Sequence, residues 1–589
     1  MAGPRLTQIS DHVPTETNGA KPSPHTKDGA YSVREEPLGT PKPIRIIGIG
    51  AGASGINMVR TLRLNLTDYE HVIYEKNEDV GGTWFENRYP GCRCDIPSHN
   101  YQFSWRANPE WSNFFSPAEE IEAYLCQICK DEKMMDVIKT SHKIVGARWN
   151  ESKGIWEVKV VNLKTGEEFD DYANFLLDAS GILNNWKWPD IEGLHDFNGT
   201  LIHSANWPKD FDYANKSVAV IGNGSTGIQI VPAIQPDVQK LYHSVRTPTW
   251  VVPPRIQTMA TFGASKDILA DIEIDEQENF TPEQIRKFKE DPDFYKKFVK
   301  AVEKDVNGNF PIMMKDSPMQ QFASSQCRQY MTAMLGGDAT LCKALIPTFP
   351  LGCRRMTPAH GYLKSLTQPN VFVLTGGMKR FVAEGIEMES GEVVKLDAII
   401  CATGFDVSFC PRFPLIGRDG NLQDIWTDHT PQAYMSCAVP GFPNYFTFMG
   451  PNAPGGHGSI FTASEHIAKY ITRVIKKCQT EGVKAIAPLQ EAVDDLYEHM
   501  GAFMPRTAWA SSCRSWFKAG RADGPVTALH PGSRIHFFHM LETLRGEDYE
   551  YVYDHPRQNR FRYLGNGFST KELDESVDST WYLDESAVV

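Results

Sequence analysis

The chain lacks any apolar run near the roughly 18 residues that a membrane-spanning helix needs. Its longest runs, such as Ala398 to Ala402, are strand-sized. Nor does an apolar block follow the first charges, so no secretory leader is expected and the cytoplasm is the expected compartment. Basic charge is not in excess: 60 Lys and Arg stand against 73 Asp and Glu, a net charge of −13. Such a surface repels phosphate backbones and anionic lipid. It argues against nucleic-acid and membrane partners while leaving room for a local basic pocket. Cysteine is sparse, 12 in 589 residues, and scattered, which suits reduced thiols better than a disulfide framework. Cys126-Gln127-Ile128-Cys129 has no second pair at zinc-ligand spacing, and Cys92 and Cys94 are too close in sequence to favour a disulfide. Neither a metal site nor a redox dithiol is expected from them. A G-x-S-x-G elbow in a strand–turn–helix setting is also missing, which removes a serine hydrolase.

What is present suffices for two or three domains. Residues 1–42 are rich in Pro, Ser, Thr, Gly and charge without helical or strand period, and are expected to form a disordered or loosely docked tail. Ordered structure is expected as a first nucleotide-binding unit over 43–190, a connecting segment over 191–213 and a second unit over 214–385. The remainder, 386–589, is expected to return to the first unit and end in a polar, acidic tail. Trp156 to Val160 alternates in strand fashion, and Lys164-Thr165-Gly166 supplies a hairpin turn. Thr281-Pro282-Glu283-Gln284 offers a hydroxyl cap, Pro at the first helical position and Gln at the capping-box position. This predicts a helical insertion over about 265–345. Residues 463–478 read as an amphipathic helix.

Two glycine clusters each follow a buried-strand pattern and open a helical one. The first is Gly50-Ala51-Gly52-Ala53-Ser54-Gly55, after Ile44 to Ile49. The next strand, His71 to Tyr74, ends at Glu75. Glycines at these places allow the tight turn, the approach of a pyrophosphate to backbone N–H groups, and close helix–strand packing. Glu75, about 25 residues on, stands where a carboxylate accepts hydrogen bonds from a ribose diol. The second cluster is Gly222-Asn223-Gly224-Ser225-Thr226-Gly227, and its next strand ends at Arg246-Thr247 instead of an acid. A cation and a hydroxyl there suit a 2′-phosphate and favour NADP over NAD. Two dinucleotide sites in one chain predict an α/β protein with two Rossmann-like domains, one for a flavin and one for a nicotinamide.

Between the clusters lies Phe197-Asn198-Gly199-Thr200-Leu201-Ile202-His203-Ser204-Ala205-Asn206-Trp207-Pro208. Taken alone, His203 is open between a structural and a catalytic role. The pattern F-x-G-x-x-x-H-x-x-x-W-P, met at Phe197, Gly199, His203, Trp207 and Pro208, resembles the signature of type I Baeyer–Villiger monooxygenases, flavin-dependent enzymes here of a fungal-like kind. Related flavin N- and S-oxygenases carry other residues at the last two places, and remain the alternative reading.

The resemblance spans about residues 44–560. It implies FAD and NADPH as cofactors, O2 and a small ketone as reactants, an ester or lactone as product, and a monomer or weak oligomer. It also implies a discontinuous FAD domain with the NADP domain inserted. Gly82, Thr83 and Trp84 resemble a second FAD segment, and Asp397 to Phe405 a strand and turn that close over the flavin late in the chain. Gly352-Cys353-Arg354-Arg355 resembles a G-x-K-R segment. By that match Arg354 contacts the 2′-phosphate and Arg355 acts at the reaction centre, held by Asp95. Trp516 would cover the nicotinamide, and the 197–208 segment would be an interdomain linker in which His203 relays closure without acting as a base.

Overall fold

A computed structural model describes residues 31–555 and 559–584. Two five-stranded parallel sheets organise it. In the first, the strands run in the order Tyr445–Thr447, Phe175–Asp178, Ile44–Ile49, Tyr69–Tyr74, Ile138–Lys139. In the second, the order is Val371–Leu374, Lys240–Ser244, Ser217–Ile221, Ala398–Cys401, Thr200–His203. Their central strands are apolar and buried on both faces, as in Ile44–Ile49 and Ala398–Cys401, the pattern of a parallel sheet covered by helices on both sides. Each glycine cluster follows the central strand of its sheet, where the strand order reverses. That crevice beyond the strand ends is the usual ligand position in such sheets.

Three further layers build on this frame. An antiparallel meander of His142–Asn150, Ile155–Asn162 and Glu168–Ala173 contains the expected hairpin and shares a core with the first sheet. The amphipathic segment forms the helix Ile460–Glu481, whose buried face joins Met58, Leu62 and Leu66 from the first glycine helix and its end. The helical insertion begins at Arg255, ten residues earlier than expected, and runs through Arg255–Phe262, Pro282–Glu290, Pro292–Gly308, Pro318–Met334 and Ala339–Leu345. Thr281 caps its helix as expected, accepting from Gln284 N. The Gln284 side chain does not reach back to complete a capping box; its oxygen accepts from Glu273 N instead. Of the expected tail, residues 1–30 lie outside the described residues. The part from 31 to 42 is docked, with Leu38 N donating to Phe568 O at 2.8 Å.

Two boundary expectations are corrected. The strand Ala398–Cys401 pairs with Ser217–Ile221 on one side and Thr200–His203 on the other, so it belongs to the second sheet. The late strand of the first sheet is Tyr445–Thr447, and the return expected at 386 therefore comes later. For the same reason the signature segment is not a free linker, since Thr200–His203 is the edge strand of the second sheet. A buried apolar run specifies a strand, not the sheet that receives it.

Candidate active site

The signature residues have packing reasons to be what they are. A Cβ on Gly199 would lie 2.5 Å from Asp397 O and 2.4 Å from the Phe197 ring, so the strand can approach its neighbour only with glycine there. Phe197 fills the core beneath, among Ile221, Ile399 and Cys401. His203 is buried and stacked on Trp186 at 4.5 Å. Its Nδ1 accepts from Ala205 N at 3.2 Å. Burial lowers its pKa to about 4, so it is neutral at pH 7. Trp207 is half-buried against Phe211, and Pro208 is exposed.

At the first crevice, Gly50 has φ +92°, and a Cβ on Gly55 would lie 2.1 Å from Gly50 O. Turn and helix can pack this closely only without side chains. Gly82 is pressed against Gly52, Thr83 is exposed, and Trp84 is buried edge-on to Tyr101 at 5.5 Å. Glu75 is buried; its carboxylate accepts from Ala51 N at 2.7 Å and Asn77 N at 2.8 Å. Burial raises its pKa against the pull of those two bonds.

The second crevice repeats the arrangement, with Gly227 against Gly222 O. Beside it, Ser225 Oγ lies 3.1 Å from Thr357 Oγ1, and Thr226 is within hydrogen-bonding reach of Tyr89. Beyond Gly224, a Cβ would meet nothing within 4 Å. Arg354 Nη1 donates to Thr247 O at 3.1 Å and Pro248 O at 2.9 Å. Burial and the neighbouring Arg246 charge both push its pKa down. Arg246, Thr247 and Arg354 are thus gathered at one edge.

Both glycine helices have N-termini that fit an anionic group. The long helices of the insertion are capped by the side chains of Thr281, Asp291 and Ser317. Ala53–Asn65 and Ser225–Ile234 begin at Gly52 and Gly224 with no side-chain cap and no acid in the first turn. Their leading N–H groups are left for a diphosphate. One side chain ties the crevices together: Gln229, on the second helix, accepts from Tyr89 Oη at 2.8 Å and donates to Arg93 O at 3.0 Å.

Between the crevices a cleft forms from segments far apart in sequence. Arg355 Nε and Nη2 each donate to Asp95 at 2.6 Å, a bidentate pair across 260 positions. The side chains are 29% and 14% exposed. Burial pushes the Asp95 carboxyl up, but the Arg355 charge and its hydrogen bonds outweigh this and hold it below the usual carboxylate range. Burial also opposes the charge on Arg355, and Asp95 more than restores it, so the guanidinium stays protonated. Arg355 Nη1 donates to Gly455 O at a long 3.4 Å, and Arg355 lines the cleft. Met313, Trp509 and Phe517, which share one apolar cluster, line the cleft together with Arg255 and His457.

Two of these, Arg255 and Met313, were not foreseen as site residues. Trp516, the residue expected to cover the nicotinamide, is half-buried edge-on to Phe517 at 4.8 Å, and it is Phe517 that lines the cleft. The expectation of reduced thiols is also corrected. Cys353 and Cys513 form a disulfide that fastens the Arg354–Arg355 loop to the 513–517 segment. Overall cysteine scarcity says nothing about one pair brought together by folding. The other ten cysteines are free, including Cys92, Cys94, Cys126 and Cys129, and no metal-binding cluster occurs among the described residues.

Residues 49–118 match the NAD(P)-binding Rossmann-like domain family. An FAD-binding monooxygenase of Aspergillus terreus is 36% identical over 92% of this chain and 95% of its own length. A Baeyer–Villiger monooxygenase of Pseudomonas aeruginosa is 32% identical over 86% and 91%. The chain belongs to the FAD-binding monooxygenase family that includes the Baeyer–Villiger enzymes. Among solved structures, a cyclohexanone monooxygenase from Rhodococcus bound to NADP+ is 26% identical, with TM-score 0.72 over 87% of this chain and all of that one. A closed form of cyclohexanone monooxygenase gives a TM-score of 0.73 at 25% identity over the same shares. This monooxygenase thus shares the full two-sheet architecture of those enzymes, and none of its described helices is long and apolar enough to cross a membrane.

Proposed function

We propose that this monooxygenase uses FAD, NADPH and O2 to insert one oxygen atom beside a ketone carbonyl, giving an ester or lactone. The observation that carries the reading is the bidentate Asp95–Arg355 pair lining the cleft. The 43–190 region and the late first-sheet strand would hold FAD, with Gly50, Gly52 and Gly55 around its diphosphate and Glu75 on its ribose. The second sheet would hold NADPH, with Gly222, Gly224, Ser225, Thr226 and Gly227 at its diphosphate. Arg246, Thr247 and Arg354 would take its 2′-phosphate. FAD, when bound and reduced by NADPH, supplies the oxygen-activating chemistry.

The chain's own contribution is position and field. Asp95 occupies two of the guanidinium donors and so fixes the plane of Arg355. The guanidinium lines the cleft, where it would stabilise negative charge developing on the ketone oxygen. A preorganised donor of this kind acts without reorganisation cost at the moment of reaction. Met313, Trp509 and Phe517 exclude water and give an apolar ketone a surface. His203, neutral and fully engaged in packing, moves no proton and serves the second sheet. The reading is tested by offering a panel of ketones, amines and thioethers to purified holoenzyme with NADPH and identifying the products. Esters or lactones are expected from the ketones; N- or S-oxides with no ester would replace it with the oxygenase alternative.

A further inference from the structure

Arg255 is a cation without a counterpart. It opens the helical insertion directly after Pro253-Pro254 and lines the cleft with Asp95 and Arg355. Its Nη1 is buried and has no hydrogen-bond partner. The carboxylate in electrostatic reach is Asp95, whose two oxygens are already taken bidentately by Arg355. One positive charge is therefore left uncompensated at this end of the cleft. The unpartnered Nδ1 of His457 in the same cleft adds no negative charge. Burying an unpaired guanidinium costs free energy that folding alone does not recover, and a buried donor of this kind calls for a partner that the folded chain does not supply.

Arg255 and Arg354 line the same cleft, but their charged neighbours differ. Its electrostatic neighbours are Asp95, Arg355 and Cys94. Arg354, by contrast, interacts with Arg246 and bonds Thr247 O and Pro248 O. Arg255 is thus grouped with Asp95 and Arg355, in a cleft that Met313, Trp509 and Phe517 also line. A guanidinium at the rim of an apolar cleft recognises a planar anionic oxygen group by charge-assisted hydrogen bonds.

We propose that Arg255 forms an anion subsite of the substrate cleft, selecting substrates that carry a carboxylate or comparably acidic oxygen on an apolar body. The proposal rests on the cleft assignment above, and deepens it by naming the substrate class.

Binding tests it without relying on turnover. Benzoate and benzamide, similar in shape and differing in charge, are titrated into FAD-loaded enzyme and followed by perturbation of the flavin absorbance. Wild-type enzyme is expected to bind benzoate about 10- to 100-fold more tightly than benzamide, the scale of one hydrogen bond to a charged group. Arg255→Met is expected to bring the ratio near one, and Arg255→Lys to restore part of it. Equal affinities in the wild type, or a preference for benzoate that survives in Arg255→Met, overturns the subsite. A rise in the dissociation constant for NADPH in Arg255→Met with the benzoate preference intact also overturns it, by giving the charge to the cofactor. Failure of the ketone reaction itself would show in the product panel and leave the benzoate ratio unchanged, so the two ideas fail separately.

Discussion

Replacing Arg355 with Ala removes a donor lining the cleft and leaves Asp95 with Arg255 as the cation in electrostatic reach. If Arg355 stabilises oxygen-centred charge in the transition state, one lost donor costs about 2.7–4 kcal/mol, or roughly 10²- to 10³-fold in ester formation. FAD content should persist, because none of the Gly50–Gly55 turn, Glu75 or the Gly82–Trp84 segment bonds to Arg355. NADPH should still be oxidised, now uncoupled from product. The variant should also carry a pH signature. In the wild type the Asp95 pKa lies below its ordinary value, so the pair's contribution is fully present above about pH 4, the unfolded carboxylate value, and is lost as pH falls through the depressed folded value. Without Arg355, Asp95 loses its hydrogen bonds and its larger opposing charge, and burial raises that pKa against the smaller pull of Arg255. The less compensated charge then destabilises the variant at neutral pH and is relieved on acidification. The stability gap between the two proteins should narrow from pH 7 toward pH 4 in denaturant titrations. Ester formed by Arg355→Ala within about threefold of wild type, against the loss expected from one donor, would refute the assignment, as would a gap that does not change with pH.

Arg354→Ala should raise the KM for NADPH by about 10- to 100-fold, the worth of a hydrogen bond to a charged group, and barely change that for NADH; steady-state kinetics with both cofactors decides. Reduction of Cys353–Cys513, which closes a separation of 160 positions, should cost about 2–4 kcal/mol. Melting with and without dithiothreitol should show the loss in the wild type and none in Cys353→Ser. Burial lowers His71, His99 and His530 to about 3 and His203, His243, His457 and His466 to about 4. Their contribution to stability is complete above about pH 6.5, the unfolded value, and falls as pH drops toward 4. Unfolding at pH 5 should therefore be accompanied by net proton uptake, measurable by calorimetry in buffers of different ionisation enthalpy.

The two glycine turns were legible because strand, turn, helix and terminal acid or arginine follow within about thirty residues, a local pattern with a local cause. The Asp95–Arg355 pair is separated by 260 positions, and no spacing rule joins its members; it was reached through resemblance of two short segments. Sheet membership was harder. Ile399 and Ile400 are as apolar as Ile46 and Ile47, and only pairing decides which sheet takes them. The Cys353–Cys513 bond had no signal either, since each cysteine is solitary in sequence. Arg255 was invisible for a different reason. Its importance lies in the absence of a partner, and that can be seen only once all nearby carboxylates have been placed.

The most direct test of the account is the fate of oxygen. Wild-type holoenzyme with NADPH, an accepted ketone and ¹⁸O2 should yield an ester or lactone carrying one labelled atom, with unlabelled product when the label is in water instead. Product labelled only from water, or oxygen consumed with no labelled ester from any ketone, would contradict it.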